Sequence, residues 1–505
     1  VIRTYLDGDG RLTDQDLTLP DEPPRDPNAI RWSAGAMDGV MGHHGGGHDG
    51  KAATSTAALL AKASRKPRER TLKKLYRALQ NDDVVSYVDD MIESLVSARP
   101  DADAIHQVGL WLATTARHRG PAKIGLALIG ITGTRDAGEI VMTLGAHDEF
   151  TLFAAVALSN GSTNPERDIW SLAKRVDGWG RIQCVERLSD ATDPEIKEWL
   201  LREGYKNSVM YEYLAYTAAT TGELTTALQR TEVDRQLLTS AGEIIEALIM
   251  GGPAQDIDDI DDAPAMLDAY LDLLDHRAET LGDLRTTTSI DRMLHGGEDA
   301  DARAGHGWTQ QDQQRLATKA ERILAQPQWP EVVAEGLASE DDHTFWLAKE
   351  AAPRFGIATF DLFLERLRAD PLGGSWFDAW RTADTDDRRN SLVDLARATF
   401  RPNVIVNGSP SSMGFGPEFR AHMEFDFTLQ ELRNHPGTGR DLISLGLTSP
   451  TIRNRNMALG ALKEWPFATW PDDALDLLRR MASDDPQEQV RQDASELLTK
   501  AKIGA

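Results

Sequence analysis

A single cysteine, Cys184, in a chain of 505 residues excludes an intrachain disulfide and any cysteine-built metal site. Its setting, Arg181-Ile-Gln-Cys-Val-Glu-Arg-Leu188, has helical spacing, so core packing is its expected role. Long apolar runs are missing too. The longest, Ile124 to Ile131 and Phe150 to Leu158, fall far short of the roughly 20 residues a membrane-spanning helix needs. Cations are scarce relative to anions: 55 Lys and Arg against 80 Asp and Glu give 55 − 80 = −25. That excess repels nucleic-acid phosphates and anionic lipid, whose binding rests on Lys and Arg. A basic protein, a cation or a neutral ligand is compatible with it. The first residues lack a basic stretch leading into an apolar core, so a signal peptide is not expected and a cytoplasmic location is.

What the chain has in abundance is helical periodicity. From about Pro67 apolar residues recur at three- and four-residue spacing, as in Leu72, Leu75, Tyr76 and Leu79, or Ile105, Val108, Leu112 and Ala116. Asn164-Pro165-Glu166 and Asp193-Pro194-Glu195 each put a capping side chain before a Pro at the first helical position, where its missing N–H costs nothing. Gly161, Gly178, Gly204 and Gly222 are expected where helices stop. Near the C-terminus one pattern is written twice: Pro450, Arg455, Ala458 and Leu462 return as Pro486, Arg491, Ala494 and Leu498, each at an offset of 36 (486 − 450 and so on). Periods of this length belong to helix-pair arrays. The fold class predicted is all-α, an α-solenoid of antiparallel helix pairs preceded by an irregular arm.

The expected division is an arm rich in Gly, Asp and His over 1–50, a helical array over 51–294, a flexible linker at 295–308, more array over 309–400, a long loop at 401–417, and two clear repeats over 418–505. Asp256 to Asp262 reads as a further solvated acidic connection. The 401–417 loop is long for a compact array, and such loops are often functional.

Candidate ligands concentrate in the arm. Tyr5-Leu-Asp-Gly-Asp-Gly-Arg-Leu-Thr-Asp-Gln-Asp16 resembles the calcium loop of EF-hand and dockerin modules. Gly10 falls at its sharp turn, and Asp7, Asp9, the Arg11 carbonyl, Thr13 and Asp16 fall at ligand positions. Tyr5 stands where the first Asp belongs, and a solvated acidic turn is the alternative. Downstream, Asp38, His43, His44, His48 and Asp49 gather imidazoles and carboxylates suited to a transition metal. The intervening glycines predict a loop site there, with a plain glycine-histidine loop as the alternative. Gly45 to Ala52 approaches a phosphate-binding loop but lacks the Ser or Thr after Lys51 and any preceding strand, which excludes it. Trp179, Trp199, Tyr211, Tyr213 and Tyr216 are expected mostly in the core. Arg453, Arg455 and Arg491 are expected to bridge adjacent repeats.

Asp485-Pro486 through Val490-Arg491, Ala494 and Leu498 resembles the second helix of HEAT-type repeats. Together with Trp179 to Leu188, Trp199 to Gly204 and Ser449 to Ala458, it is similar to a family of bacterial helical-repeat proteins sometimes labelled limonene hydroxylases. That label implies an oxygen-activating cofactor, for which the sequence offers no haem-thiolate, flavin or nicotinamide motif. The first functional expectation is therefore a non-catalytic scaffold whose concave surface and 401–417 loop bind a protein or peptide. The alternative is a metal-dependent oxygenase or hydrolase built on the His cluster. A third is a calcium-stabilised extracellular module.

Overall fold

The computed structural model describes residues 1–14, 17–22, 32–44, 49–80, 83–296, 303, 306–408 and 411–504, without the side chains of 41–44 and 502–504. The described chain is all-helical, and the only β pairing in it consists of two isolated bridges, Leu6 with Leu12 and Ser412 with Thr451. Among the described residues no helix is long and apolar enough to cross a membrane.

Helices form where the apolar spacing predicts them, and short polar side chains set their starts. Leu75 in the Glu69–Ala78 helix and Leu79, the C-cap residue one turn on, are fully buried. Pro165 and Pro194 open their helices, and Asp193 accepts the Glu195 N–H as a cap; Asn164 makes no such bond. Thr280 with Asp283 and Thr309 with Asp312 form reciprocal capping boxes, each satisfying two backbone donors that the first turn leaves unpaired. Gly161, Gly204 and Gly222 lie at helix ends. Gly178 does the opposite and opens the Gly178–Val185 helix with a φ of +47°. A Cβ there would lie 2.9 Å from the Asp148 Oδ2, so a close approach as well as the backbone turn demands glycine.

The chain divides into two compact units, with the boundary between Val332 and Val333. In the first, the helices Ala102–Thr115, Arg119–Thr132, Asp148–Gly161, Gly178–Val185, Glu212–Thr221, Arg235–Met250, Leu281–His295 and Gln310–Leu324 pack each on the next. Gly138–Gly145, Pro165–Ala173 and Ala263–Arg277 pack alongside that row. In the second unit Arg440–Leu447 packs on Ile452–Glu464, and Ala474–Asp484 on Glu488–Gly504. Each helix of the first pair also touches its counterpart in the second pair.

Three connections carry specific local structure among their described residues. Asp256–Asp262 is no loose linker: Asp256 and Asp259 cap a short 3-10 turn, and Ile257 and Ile260 alternate with the acids to reach the core. In 295–308, Arg303 is buried, donates to the Met293 carbonyl and pairs with Asp258, while residues 297–302 and 304–305 lie outside the described residues. The 401–417 stretch begins with a one-turn helix, Pro402–Ile405.

Candidate functional site

The second unit carries a buried polar network at the turn that opens the repeated pattern. Asn454 sits on the Ile452–Glu464 helix four residues before buried Ala458, so its side chain faces inward with the core. Its Nδ2 donates to the His422 carbonyl at 2.9 Å and to Asp426 Oδ1 at 2.5 Å, both on the Arg420–Leu432 helix. Its Oδ1 therefore faces His422 Nδ1 at 2.7 Å and accepts from Ser449 Oγ at 2.9 Å. That arrangement requires the proton on His422 Nδ1. Although Ser449 Oγ lies 3.5 Å from the same nitrogen, the imidazole cannot take the hydroxyl proton there, which removes a serine–histidine nucleophile from consideration.

Two arginines complete the network. Arg455 is buried, donates from Nη1 to the carbonyls of Ser449 and Pro450, and pairs with Asp485 of the following helix pair at 2.8 Å. Arg491 repeats the first of those bonds to the Asp485 carbonyl, six residues back, as Ser449 is from Arg455. The offset of 36 is thus a repeat of bonding as well as of letters. Arg453 pairs with Asp426 at 2.9 Å and lies over the Phe415 ring, 4.9 Å from its centre. Burial raises the Asp426 carboxyl, and the Arg453 charge opposes it. Glu424, on the same helix, is pushed up to about 7 by burial, with Arg420 pulling the other way.

The 401–417 stretch lies on this base. The Ile452 N–H donates to the Ser412 carbonyl at 2.9 Å, and Gly414, at φ +73°, comes so close that a Cβ would meet Thr451 Cγ2 at 2.5 Å. Ile405 is buried, but three other apolar side chains of the loop point to water: Val406 is 45%, Met413 48% and Phe415 54% exposed, and Met423 just beyond is 40% exposed. The only other exposed large apolar residue described in this unit is Trp346. Residues 401–423 hold Arg401 and Arg420 against Glu418, a net charge of 2 − 1 = +1 in a chain of −25.

The arm residues are engaged differently. Asp38 is buried against Lys123 at 2.7 Å; Lys123, itself 1% exposed, also pairs with Glu149 at 2.7 Å, and Glu149 accepts the Gly35 N–H. Asp49 caps the Gly50–Arg65 helix through the N–H groups of Lys51 and Ala52. His43 and His44 end a helix, Ala36–His44, while the three glycines on which the loop expectation rests, at 45–47, lie outside the described residues. Within that helix a Cβ at Gly39 would sit 2.2 Å from the Trp179 ring, so glycine lets the helix approach. The side chains of His43 and His44, and all of His48, lie outside the described residues.

In the calcium-like segment Gly10 does take the left-handed turn, at φ +78°. Asp7 Oδ1 accepts the N–H groups of Asp9 and Arg11, the Arg11 carbonyl accepts from Asp7, and Thr13 Oγ1 donates to the Tyr5 carbonyl. Asp16 lies outside the described residues. Trp179 and Tyr213 are buried with ring centres 5.2 Å apart, and Tyr211, half-buried, meets Tyr205 at 5.4 Å. Trp199 and Tyr216 are half-buried as well. Cys184 is in the core, its thiol pushed up to about 12 by burial.

Sequence reasoning missed the His422, Ser449, Asn454 and Asp426 set. The available signal was Asn454 itself, a polar residue in register with Ala458 and Leu462 on the buried face. It also missed Lys123, at the edge of an apolar run. A convergence of Asp291, His295 and Glu321, with ligand atoms within 4.8 Å of one another, is largely surface ion pairing between neighbouring helices. Compared with known proteins, the chain matches no protein-family model and no curated protein.

Proposed function

We propose that this protein is a non-catalytic HEAT-like helical-repeat scaffold, an α-solenoid, that binds a peptide segment of a protein partner through the exposed side chains of Val406, Met413, Phe415 and Met423. The observation that carries this reading is an apolar edge on a rigid base. Val406, Met413, Phe415 and Met423 face water while the backbone beneath them is fixed by the Ser412–Thr451 bridge and the buried network. Exposed apolar side chains on a braced loop provide anchors at little ordering cost. The local excess of Arg favours a segment that mixes apolar and acidic residues, which the rest of this acidic chain would repel. The succession of helices packed each on the next supports the solenoid reading. The metal-dependent alternative draws no support from Asp38 and Asp49, which hold Lys123 and a helix start.

The test is a randomised-peptide display selection on the purified chain, run in parallel on a Met413→Ser, Phe415→Ser variant. Enriched sequences combining apolar residues with Asp or Glu, binding the variant at least tenfold more weakly, are expected. Selection of nothing, or of peptides that bind both proteins equally, overturns the reading.

A further inference from the structure

The same three residues, Asn-Gly-Ser, occur at 160–162 and again at 407–409. An asparagine followed by glycine is chemically labile. With no Cβ in the way, the glycine amide nitrogen can reach the side-chain carbonyl carbon of the asparagine and close a ring. The backbone decides whether it does, because that nitrogen must turn towards the carbon it attacks. The fold treats the two copies in opposite ways.

Asn160 and Gly161 are the last two residues of the Asp148–Gly161 helix. Gly161 is held from both sides. Its carbonyl accepts the Thr134 N–H and the Thr134 hydroxyl, each at 3.1 Å, and a Cβ on it would lie 2.8 Å from the Gly130 carbonyl oxygen. Asn160 is exposed, yet the nitrogen after it belongs to a helical residue packed against its neighbours. Asn407 and Gly408 lie beyond the Pro402–Ile405 turn, and both are exposed. Gly408 has a φ of +128°, and the nearest atom a Cβ on it would meet is Pro450 Cγ at 3.5 Å, an ordinary contact. Among the described residues its N–H donates to no acceptor. Asn407 Nδ2 donates to the Asn403 carbonyl at 2.5 Å. That bond holds the nitrogen that would leave and puts no restraint on the nitrogen that would attack.

We infer that Asn407 is a site of spontaneous deamidation and that its helix spares Asn160. The Gly408 nitrogen bonds to Asn407 Cγ and gives up its proton, the Cγ–Nδ2 bond breaks, and Nδ2 leaves as ammonia. Water then opens the cyclic imide at either carbonyl. Opening at Cγ leaves aspartate. Opening at the main-chain carbonyl leaves isoaspartate, whose backbone runs through the former side chain and is longer by one methylene. Either product adds a negative charge, which takes residues 401–423 to 2 − 2 = 0. Weaker binding of an acidic segment would follow; that consequence rests on the peptide-binding reading, whereas the conversion does not.

The experiment is peptide mapping by mass spectrometry on the full chain, kept for several weeks at physiological temperature in mildly alkaline buffer, both folded and in urea. Conversion of amide to acid is read from the peptide mass, and isoaspartate from labelling by an isoaspartyl methyltransferase. In the folded chain Asn407 is expected to convert at least tenfold faster than Asn160, with isoaspartate the more abundant product. In urea the two sites should convert at similar rates, since the same Gly and Ser follow each. An intact Asn407, equal rates at the two sites in the folded chain, or an Asn160 that stays slow in urea overturns the inference. These readouts involve no peptide ligand, so they stand or fall apart from the proposed binding function.

Discussion

The two glycine-rich irregular segments, the arm within 1–50 and the loop at 401–417, look alike in composition and are held by opposite means. The arm is tied down by buried charge. Lys123 reaches Asp38 and Glu149, Arg119 reaches Asp21, and His147 faces the Leu17 carbonyl at 3.4 Å. The loop is tied down by backbone, through the Ser412 carbonyl and the approach of Gly414 to Thr451. Ile405 adds one buried side chain, and Val406, Met413 and Phe415 are left for water. A segment fastened by its side chains has spent its chemistry on structure, whereas one fastened by its backbone keeps that chemistry available.

The largest effect is expected from breaking the arm's anchor. Lys123→Ala removes the buried cation that Asp38 and Glu149 share, leaving Arg119 at 3.5 Å from Glu149, and should cost about 3–5 kcal/mol in urea denaturation, with hydrogen exchange rising first in residues 32–40. Gly39→Ala tests the same attachment sterically. Its Cβ would strike the Trp179 ring, and a loss of up to about 3 kcal/mol is expected from overpacking. In the loop, Gly414→Ala meets both a positive φ and Thr451. It should cost about 1 kcal/mol or somewhat more and open 401–417 to protease before the rest of the second unit. Smallest of all, Met413→Ser with Phe415→Ser should change stability by no more than about 0.5 kcal/mol, as befits side chains that face water.

Among the described residues burial pushes a carboxyl group up to about 7 in each unit, Asp148 in the first and Glu424 in the second. The unfolded chain gives up these protons first, near the ordinary values of 3.8 and 4.5, so above them the unfolded state is favoured progressively until the folded groups ionise. Their contribution to stability is therefore full at low pH and is lost as the pH rises from about 4 to about 7. Asp148→Asn and Glu424→Gln should each flatten that part of the stability profile, measured by denaturation at a series of pH values.

The sequence was most legible where structure depends on near neighbours. Pro165 and Pro194 start helices because a fixed φ and a missing donor act locally, and the apolar faces follow from spacing alone. It was least legible where a distant partner decides. Nothing near Gly39 says why glycine stands there until Trp179, 140 residues away (179 − 39), comes against it. Asp256–Asp262 reads as solvated until its two isoleucines find a core. Of the candidate site, the loop was visible from its length and glycines. The network beneath it was not, because His422, Ser449 and Asn454 come from separate elements and carry no motif between them.

The paired bonds of Arg455 and Arg491 bear on how such a chain could change length. Each guanidinium answers to a carbonyl six residues behind it, and 36 residues separate the two. Excising residues 450–485 would join Ser449 to Pro486 and set Arg491 six residues after Ser449, the partner Arg455 has now. Duplicating the same block would insert another arginine already facing its acceptor. Gain or loss of whole units therefore conserves each remaining bond of this kind, whereas an insertion that falls between an arginine and its acceptor, within 449–455 or 485–491, breaks one.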